Sequence, residues 1–358
     1  MHRSQGRRMA VFDHTEFDNH ESLHFINDEQ TGLRTIIAVH STALGPAAGG
    51  CRHWSYANDT DALTDALRLS RGMTYKNAVA ELPFGGGKAV ILGSDAAPKT
   101  PELLAAFGRA VDSLGGSYVT AEDVGMSVED MRHVQQQTKF VSGLPQSGQS
   151  AGGDPSPWTA LGVFLGIEAA VKVRLEKDSL DGLTVAVQGI GHVGAHLCKL
   201  LHEAGAKLIV ADVNGDNLKV IGESIPVEVV APAELLYADA EILAPCALGN
   251  VLTSATIPHL KAKVIAGAAN NQLSTLEDGA LLSAREILYA PDYVINAGGI
   301  ISVSHEYYGG SSEDKVRADV EKIPARLQTL FAEANETGRP TNELADEYAR
   351  RLIAAGKK

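Results

Sequence analysis

The chain has 358 residues, of which 44% are hydrophobic and 21% charged, and its mean hydropathy is −0.04. These values are typical of a soluble globular protein with enough apolar material for two domains of ordinary size. The formal net charge is −13 and the sequence pI is about 5.4. Such an acid excess argues against a protein that binds nucleic acid, since those proteins hold phosphates with lysine and arginine.

Cysteine content and apolar runs indicate the compartment. Cys51, Cys198 and Cys246 are far apart and form no CxxC pair, so the sequence predicts neither a disulfide framework nor a metal site. The N-terminal stretch has no apolar secretory segment, and no apolar run approaches the roughly 18 residues that span a bilayer. We therefore expect a cytoplasmic protein with no membrane partner.

The first part of the chain alternates predicted strands and helices. Strands are expected at 33–40, 89–92 and 118–120, and helices at 59–73, 100–115 and 127–138. Ser127 and Asp130 have the spacing of a capping box. Gly, Pro, Ser and Gln then crowd residues 142–157, which is typical of a linker or functional loop. We place the domain boundary here, so that residues 1–145 form the first domain. Ser156 and Pro157 are expected to cap a helix through residue 172.

The second part is more regular. Strands are predicted at 184–188, 207–212, 227–230, 241–244, 263–266 and 287–289, with helices between most of them. This alternation favours right-handed crossovers and a mostly parallel sheet, hence an α/β fold for residues 146–324. The terminal helices, about 325–358, are expected to pack back on the first domain because chain ends are usually close together.

A glycine motif follows the strand at 184–188. Gly189 permits a tight turn, Gly191 lets the backbone approach a pyrophosphate, and Gly194 lets the next helix sit close to the sheet. The helix N-terminus presents N–H groups to phosphate. Asp212 ends the second strand, where its carboxylate can accept hydrogen bonds from a ribose diol and repel a 2′-phosphate. The pattern predicts a dinucleotide site that prefers NAD to NADP.

Two lysines and an aspartate stand in apolar, glycine-rich contexts of the first domain. Lys88 follows three glycines, but the Walker A pattern fails because Ala89 replaces Ser/Thr. Burial together with a second cation, Lys76, would keep the Lys88 amine partly uncharged for acid–base chemistry. Lys76 could also hold a substrate carboxylate. Asp123 could move a proton or steady the charge on Lys88.

Several long blocks resemble one known family. They are GPAAGGCR (45–52), RGMTYKNAVAELPFGGGKAVI (71–91), TAEDVGMSVEDM (120–131), GGDPSPWTALGVFLGIEA (152–169), APCALGNVL (244–252), GAANNQL (267–273) and YAPDYVINAGGIISV (289–303). They are similar to the leucine, valine and phenylalanine dehydrogenases, relatives of glutamate dehydrogenase. The resemblance covers roughly residues 30–310. It implies NAD-dependent reversible oxidative deamination of an L-amino acid, a substrate-binding and oligomerisation domain followed by a Rossmann domain, and a homo-oligomer.

The resemblance also implies residue roles. Lys88 would be the general base that activates water, and Asp123 would manage protons on the amine. Lys76 and backbone near Gly49 would bind the substrate carboxylate. Thr159 would hold the nicotinamide carboxamide, and Asn270 and Asn271 would lie where nicotinamide and substrate meet. The remaining residues expected at the cofactor are Gly189, Ile190, Gly191, His192, Val193, Gly194, Asp212, Cys246 and Ala247, with packing or capping expected of His192 and no nucleophilic role for Cys246.

The substrate is less determined than the reaction. The resemblance implies a side-chain pocket lined by Ala48, Ala121, Ile300 and Val303. This apolar set disfavours glutamate. The TAEDVG, APCALG and NAGGIISV blocks are closer to leucine-type members, whereas Phe84 and residues 305–310 depart from them. Ala48 is small enough to admit an aromatic ring into this pocket, whereas Ile300 would fill part of the same space. One methylene group changes the discrimination between substrates by only about 1–3 kcal/mol, so these residues leave both substrate classes open.

Two alternatives remain open. One is the same reaction on an aromatic amino acid. The other is a protein that senses NAD on this scaffold without catalysis, since a fold does not fix its chemistry. A sensor would have no need to keep Lys76, Lys88 and Asp123 together.

Overall fold

The computed structural model describes residues 11–93, 99–144, 153–309 and 312–356. These residues form two units. The first contains the described residues up to Ala78, those from Pro83 to 144, and Gly356; the second contains Val79–Leu82 and 153–355. Half of the 142–157 segment expected to link the domains, residues 145–152, lies outside the described residues.

The first unit is built on a five-stranded mixed sheet. Its elements are β1 (Ser22–Asp28), β2 (Leu33–Ser41), β3 (Ala47–Trp54), α1 (Asp59–Val79), β4 (Gly85–Leu92), α2 (Pro101–Asp112), β5 (Tyr118–Ala121) and α3 (Val128–Gln135). The strand order is β1-β2-β4-β3-β5. β1 and β2, and β2 and β4, are antiparallel, whereas β3 runs parallel to both β4 and β5. The carboxyl ends of β3, β4 and β5 therefore meet at one edge.

Local sequence explains where these helices begin. Thr100 caps α2, its hydroxyl accepting from the Leu103 N–H, and the predicted capping box of Ser127 and Asp130 is confirmed at α3. α1 runs six residues beyond its expected end at Met73 and so includes Lys76.

Glycines allow the backbones of neighbouring elements in this unit to approach closely. Because glycine has low strand propensity, the glycine-containing β3 was not predicted. A Cβ on Gly49 would lie 1.8 Å from the Gly87 carbonyl oxygen, and one on Gly86 would lie 2.1 Å from the Thr74 nitrogen on α1. A Cβ on Gly87 would meet the Tyr118 ring at 2.7 Å. These glycines close the contacts between β4 and its neighbours.

The second unit holds a six-stranded parallel sheet. Its elements are α4 (Ser156–Arg174), β6 (Thr184–Gln188), α5 (His192–Glu203), β7 (Lys207–Ala211), α6 (Gly215–Ser224), β8 (Glu228–Val229), α7 (Pro232–Leu235), β9 (Ile242–Pro245), β10 (Val264–Ile265), α8 (Glu277–Ala284), β11 (Leu288–Tyr289), α9 (Asp292–Ile295), α10 (Gly298–Tyr308), α11 (Glu313–Val320), α12 (Ile323–Thr337) and α13 (Thr341–Gly356). The order is β11-β10-β9-β6-β7-β8. β7 and β8 lie on one side of β6, and β9, β10 and β11 lie on the other, so the strand order reverses at β6. Folds of this kind bind ligands at such a reversal, beyond the carboxyl ends of the strands.

Two expectations need correction here. The N-cap of α4 is Pro155, not Ser156, and no side chain caps the helix; the N–H of Ser156, its first residue, donates to the Asp154 carboxylate at 2.9 Å. The terminal helices belong to the second unit as far as Ala355, not to the first. Leu327 on α12 packs against Gly166 on α4, where a Cβ would meet it at 2.9 Å. The apolar side chains of α12 are buried: Ile323, Leu327, Leu330 and Phe331.

No helix within the described ranges is both long and apolar enough to cross a bilayer.

Candidate active site

Lys88 and Asp123 form an ion pair in the first unit, in which Lys88 is buried and Asp123 is half-buried. Lys88 lies in β4 with 5% exposure, opposite Ala38 of β2, and its amine is 2.8 Å from Asp123 Oδ2. Asp123 stands two residues after β5. Lys88 stands in the middle of β4, and β5, two strands along in the sheet, ends two residues before Asp123; the sheet thus brings together two residues that are 35 positions apart.

Arg52 extends this pair into a chain of charges that the sequence did not reveal. Its Nε donates to the same Asp123 oxygen at 3.1 Å, and its second nitrogen, NH1, donates to Asp65 Oδ2 at 2.8 Å. The Tyr56 hydroxyl donates to that Asp65 oxygen at 2.7 Å. Arg52 lies in the GGCR block quoted above, which was the only signal; nothing in the sequence showed that α1 would bring Asp65 to it.

The charges fix the protonation of the groups around the pair. Burial raises the pKa of Asp123, but the Lys88 and Arg52 cations outweigh it, so the net pKa lies below the ordinary value of 3.8 and the carboxyl is ionised at neutral pH. Burial, with the hydrogen bond and charge of Asp65, raises the pKa of the Tyr56 phenol, which stays protonated.

The other expected substrate residues of the first unit lie on neighbouring elements. Lys76 is half-buried on α1, next to Asn77, whose amide donates to the Gly85 carbonyl at 2.6 Å. Ala48 and Ala121 are buried in β3 and β5. Their strands pair with Gly50 opposite Ala121, so small residues line this stretch of the sheet.

Gly49 has a structural role of its own. Its carbonyl accepts from the Tyr118 hydroxyl at 2.7 Å. The carbonyl is therefore engaged within the protein.

In the second unit the glycine motif adopts the geometry expected for a dinucleotide loop. Gly189 has a φ of 91°, and a Cβ there would lie 2.6 Å from the Ala247 side chain. A Cβ on Gly194 would lie 2.0 Å from the Gly189 carbonyl oxygen, so α5 can approach β6 only with glycine at this position. At Gly191, the N-cap of α5, a Cβ would meet nothing within 4 Å. Gly191 thus leaves open space beside the helix N-terminus.

Asp212 fixes the loop from the next strand. Its Oδ2 accepts from the Ile190 N–H at 2.6 Å and from the Asn217 amide at 3.3 Å, while Oδ1 accepts from the Asn214 N–H at 2.7 Å. Burial raises the pKa of Asp212, but these hydrogen bonds outweigh it and the net pKa is lowered. Asp212 is thus an anion beside the loop at neutral pH.

His192 and Val193 begin α5. The largely exposed His192 ring lies 3.3 Å from Asp154 Oδ2, and Asp154 also accepts from the Ser156 N–H of α4. This contact links the N-termini of α4 and α5, but it is not a cap: the N-cap of α5 is Gly191, and no side chain caps this helix.

The carboxyl ends of β9 and β10 supply the other predicted cofactor residues. Cys246 follows β9, and burial raises the pKa of its thiol to about 12, so it carries no thiolate at neutral pH. Asn270 and Asn271 are exposed beyond β10. The buried Asn296 amide donates to Asn270 Oδ1 at 2.9 Å and to the Ala268 carbonyl at 2.9 Å. Sequence reasoning missed Asn296.

Thr159, Ile300 and Val303 lie where α4 and α10 begin. Thr159 is in the first turn of α4, and a Cβ on Gly299 would lie 2.6 Å from its hydroxyl. Ile300 and Val303 are half-buried on α10. They belong to the second unit, whereas Ala48 and Ala121 belong to the first, so a common pocket for the four stays a prediction. Within the described residues no group of three or more His, Cys, Asp and Glu is placed to hold a metal ion.

Residues 20–140 match the family model described as Glu/Leu/Phe/Val dehydrogenase, dimerisation domain, and residues 152–217 and 210–355 match that of Glutamate/Leucine/Phenylalanine/Valine dehydrogenase. Leucine dehydrogenase of Geobacillus stearothermophilus is 46% identical over 351 residues, which cover 98% of this chain and 95% of the relative. The crystal structure of L-tryptophan dehydrogenase from Nostoc punctiforme has a TM-score of 0.81 at 46% identity and covers 95% of this chain and 97% of that one. A hetero-hexameric glutamate dehydrogenase from Thermus thermophilus, 24% identical with a TM-score of 0.78, covers 94% and 89% and shares the fold. The chain belongs to the Glu/Leu/Phe/Val dehydrogenase family and is an amino-acid dehydrogenase.

Proposed function

We propose that the protein catalyses the NAD-dependent, reversible oxidative deamination of an aliphatic L-amino acid to its 2-oxo acid and ammonia. The observation that carries this proposal is the ion pair between the buried Lys88, in the middle of β4, and Asp123, just after β5. A buried amine held beside an ionised carboxylate can pass a proton in either direction, which deamination and its reverse both require.

The residues of the second unit suit NAD. The uncapped N-terminus of α5 and the space beside Gly191 fit a pyrophosphate, and the Asp212 anion fits a ribose diol while repelling a 2′-phosphate. When bound, NAD supplies the hydride acceptor. Thr159 and Asn270 would hold the nicotinamide amide, and Asn296 fixes the Asn270 side chain for that contact.

Each predicted group of the first unit then has one task. Lys76 binds the substrate carboxylate as a cation, with help from backbone near Gly49. Asp123 accepts a proton from the substrate amine, because hydride leaves the α-carbon more readily from a neutral amine than from an ammonium. Lys88 takes a proton from the water that attacks the oxidised carbon. The same groups return these protons in the reverse direction.

An aliphatic substrate is favoured by the apolar character of Ala48, Ala121, Ile300 and Val303, which offer no cation to a second carboxylate. The leucine dehydrogenase relative at 46% identity supports the same choice. The small Ala48, together with the L-tryptophan dehydrogenase relative at 45% identity, supports an aromatic substrate as the second candidate. We further propose a cytoplasmic homo-oligomer, which the dimerisation domain supports.

The test is NADH formation at alkaline pH with L-leucine, L-valine, L-phenylalanine, L-tryptophan and L-glutamate, each with NAD and with NADP. We expect kcat/KM to be highest for leucine or valine with NAD, and L-glutamate to be inactive. Higher kcat/KM for an aromatic substrate would select the second candidate. Binding of NADH without turnover of any amino acid would indicate a sensing protein instead.

A further inference from the structure

The Arg52 side chain joins two carboxylates that come from different elements. Arg52 lies in β3, Asp65 on α1, and Asp123 after β5. Arg52 donates through Nε to Asp123 and through NH1 to Asp65, and all three side chains are 23–25% exposed. A planar guanidinium with fixed N–H directions can bridge two carboxylates in this way, whereas a lysine amine is a point charge on a flexible stem.

Arg52 and Lys88 share one oxygen of Asp123. Lys88 lies 2.8 Å and Arg52 3.1 Å from Oδ2. Arginine stays protonated in proteins, so Asp123 keeps a permanent cationic partner when the Lys88 amine loses its proton. The same Asp123 oxygen therefore lies between two cations, and Arg52 competes with Lys88 for it.

We infer that Arg52 is a positioning residue that holds Asp123 ionised and in place while Lys88 gains and loses its proton, and that Asp65 and Tyr56 hold Arg52. This inference rests on the proposed function, because it assigns Arg52 a part in the acid–base step of that same site. Without the Arg52 cation, Asp123 would bind the Lys88 ammonium more tightly, and the base would be available only at higher pH.

Three titratable groups close to Arg52 have a raised pKa and stay uncharged at neutral pH. The Cys51 thiol and the Tyr118 phenol are buried, and burial raises the pKa of each. The Tyr56 phenol also has a raised pKa. Lys99 is ion-paired with Asp130, whose pKa is lowered. A shift in the pH profile on substitution of Arg52 would therefore report on Lys88 and Asp123.

The test compares Arg52→Gln and Arg52→Lys with the wild type by kcat and kcat/KM from pH 7 to 11, with the substrate that the panel above selects. For Arg52→Gln we expect the acidic limb of both profiles to move up by about one pH unit and kcat at pH 8 to fall at least about 10-fold. Arg52→Lys keeps the charge, so its limb should move by less than half as much, while kcat still falls because Asp65 and Asp123 are no longer bridged. The matched control is Arg34→Gln, which breaks the exposed pair with Asp59 and should change neither quantity.

NADH binding and Tm are measured for each variant to separate this effect from unfolding. If Arg52→Gln does not fold, Tyr56→Phe removes only the hydrogen bond to Asp65 and should give a smaller shift in the same direction. An unmoved acidic limb in a folded Arg52 variant, or in Tyr56→Phe where that variant is needed, would overturn the inference. A rise in substrate KM alone would also overturn it, because that result would mean that Arg52 contacts the substrate. A wild-type protein inactive on every amino acid would instead count against the proposed function.

Discussion

The two units hold their functional groups by different means. In the second unit the proposed NAD site is made mostly of backbone: a positive-φ glycine, a helix N-terminus and close helix–strand contacts, with one carboxylate fixing the loop. In the first unit the proposed chemistry depends on side-chain charges from four separate segments, joined through Arg52, Asp65, Lys88 and Asp123. A backbone site can be encoded in one contiguous motif, whereas a network of side chains depends on the register of strands and helices.

If the two units have separable tasks, substitutions in the first should affect turnover and leave NADH binding intact. Lys88→Ala is expected to lower kcat by at least about 1,000-fold, since it removes the proposed general base. The NADH dissociation constant, measured by fluorescence titration, should stay within about twofold of the wild-type value.

The exposed Lys177→Ala, which should be fully active, is the control for Lys88→Ala. Near-normal turnover in Lys88→Ala would remove the proposed mechanism. Loss of NADH binding in a folded variant would show that the tasks are not separable.

A substitution in the second unit should do the reverse. Asp212→Ala removes the acceptor of the Ile190 N–H and the anion beside the proposed ribose site. Because a hydrogen bond to a charged group contributes about 1.5–3 kcal/mol, we expect KM for NAD to rise roughly 10- to 100-fold. Discrimination against NADP should weaken, with a smaller change in kcat. Steady-state kinetics with both cofactors measures this, and an unchanged NAD/NADP ratio would contradict the assignment of Asp212.

The pH dependence of stability should also differ between the two units, because the first contains buried histidines. His40 lies in β2, its Nδ1 2.7 Å from the Thr74 hydroxyl on α1, and its ring 4.7 Å from that of His20. Burial lowers the pKa of His40 from 6.5 to about 4. Because the pKa of His40 is lower in the folded protein, the unfolded chain binds this proton first as the pH falls. The free energy of unfolding is therefore highest above pH 6.5, and the contribution of His40 is lost as the pH falls from about 6.5 to about 4.

The expected loss from His40 is up to about 3 kcal/mol. Trp54 lies in the first unit and Trp158 in the second, so a Trp158→Phe background reports urea unfolding of the first unit alone by fluorescence. His40→Gln in that background should be less sensitive to pH between 7.5 and 5 than its parent. Equal pH dependence in the two proteins would show that His40 does not stabilise the first unit in this way.

The difference between a contiguous backbone motif and a network of distant side chains also explains what could be predicted from the sequence. The strand at Thr184–Gln188 and the loop from Gly189 to Gly194 were predicted as the structure has them, because their contacts are local. β3 was missed because its two central glycines lack strand propensity and are required by backbone contacts with Gly87 and Glu122.

The candidate residues Lys88 and Asp123 were found, but not their partners. In the sequence, nothing distinguishes Asp65 from other acidic residues on the exposed side of a helix. Only the packing of α1 on the sheet brings it to Arg52. The packing of α12 on α4 was also beyond sequence reasoning, since an apolar helix face does not name its partner.

Hydride transfer from the α-carbon of the substrate to NAD is tested with L-leucine labelled with deuterium at that carbon, together with NAD and the wild-type protein. We expect equal amounts of reduced cofactor, 2-oxo acid and ammonia, with the deuterium carried by the reduced nicotinamide ring. Reduced cofactor without the label, or no ammonia and no oxidation of any aliphatic amino acid, would contradict it.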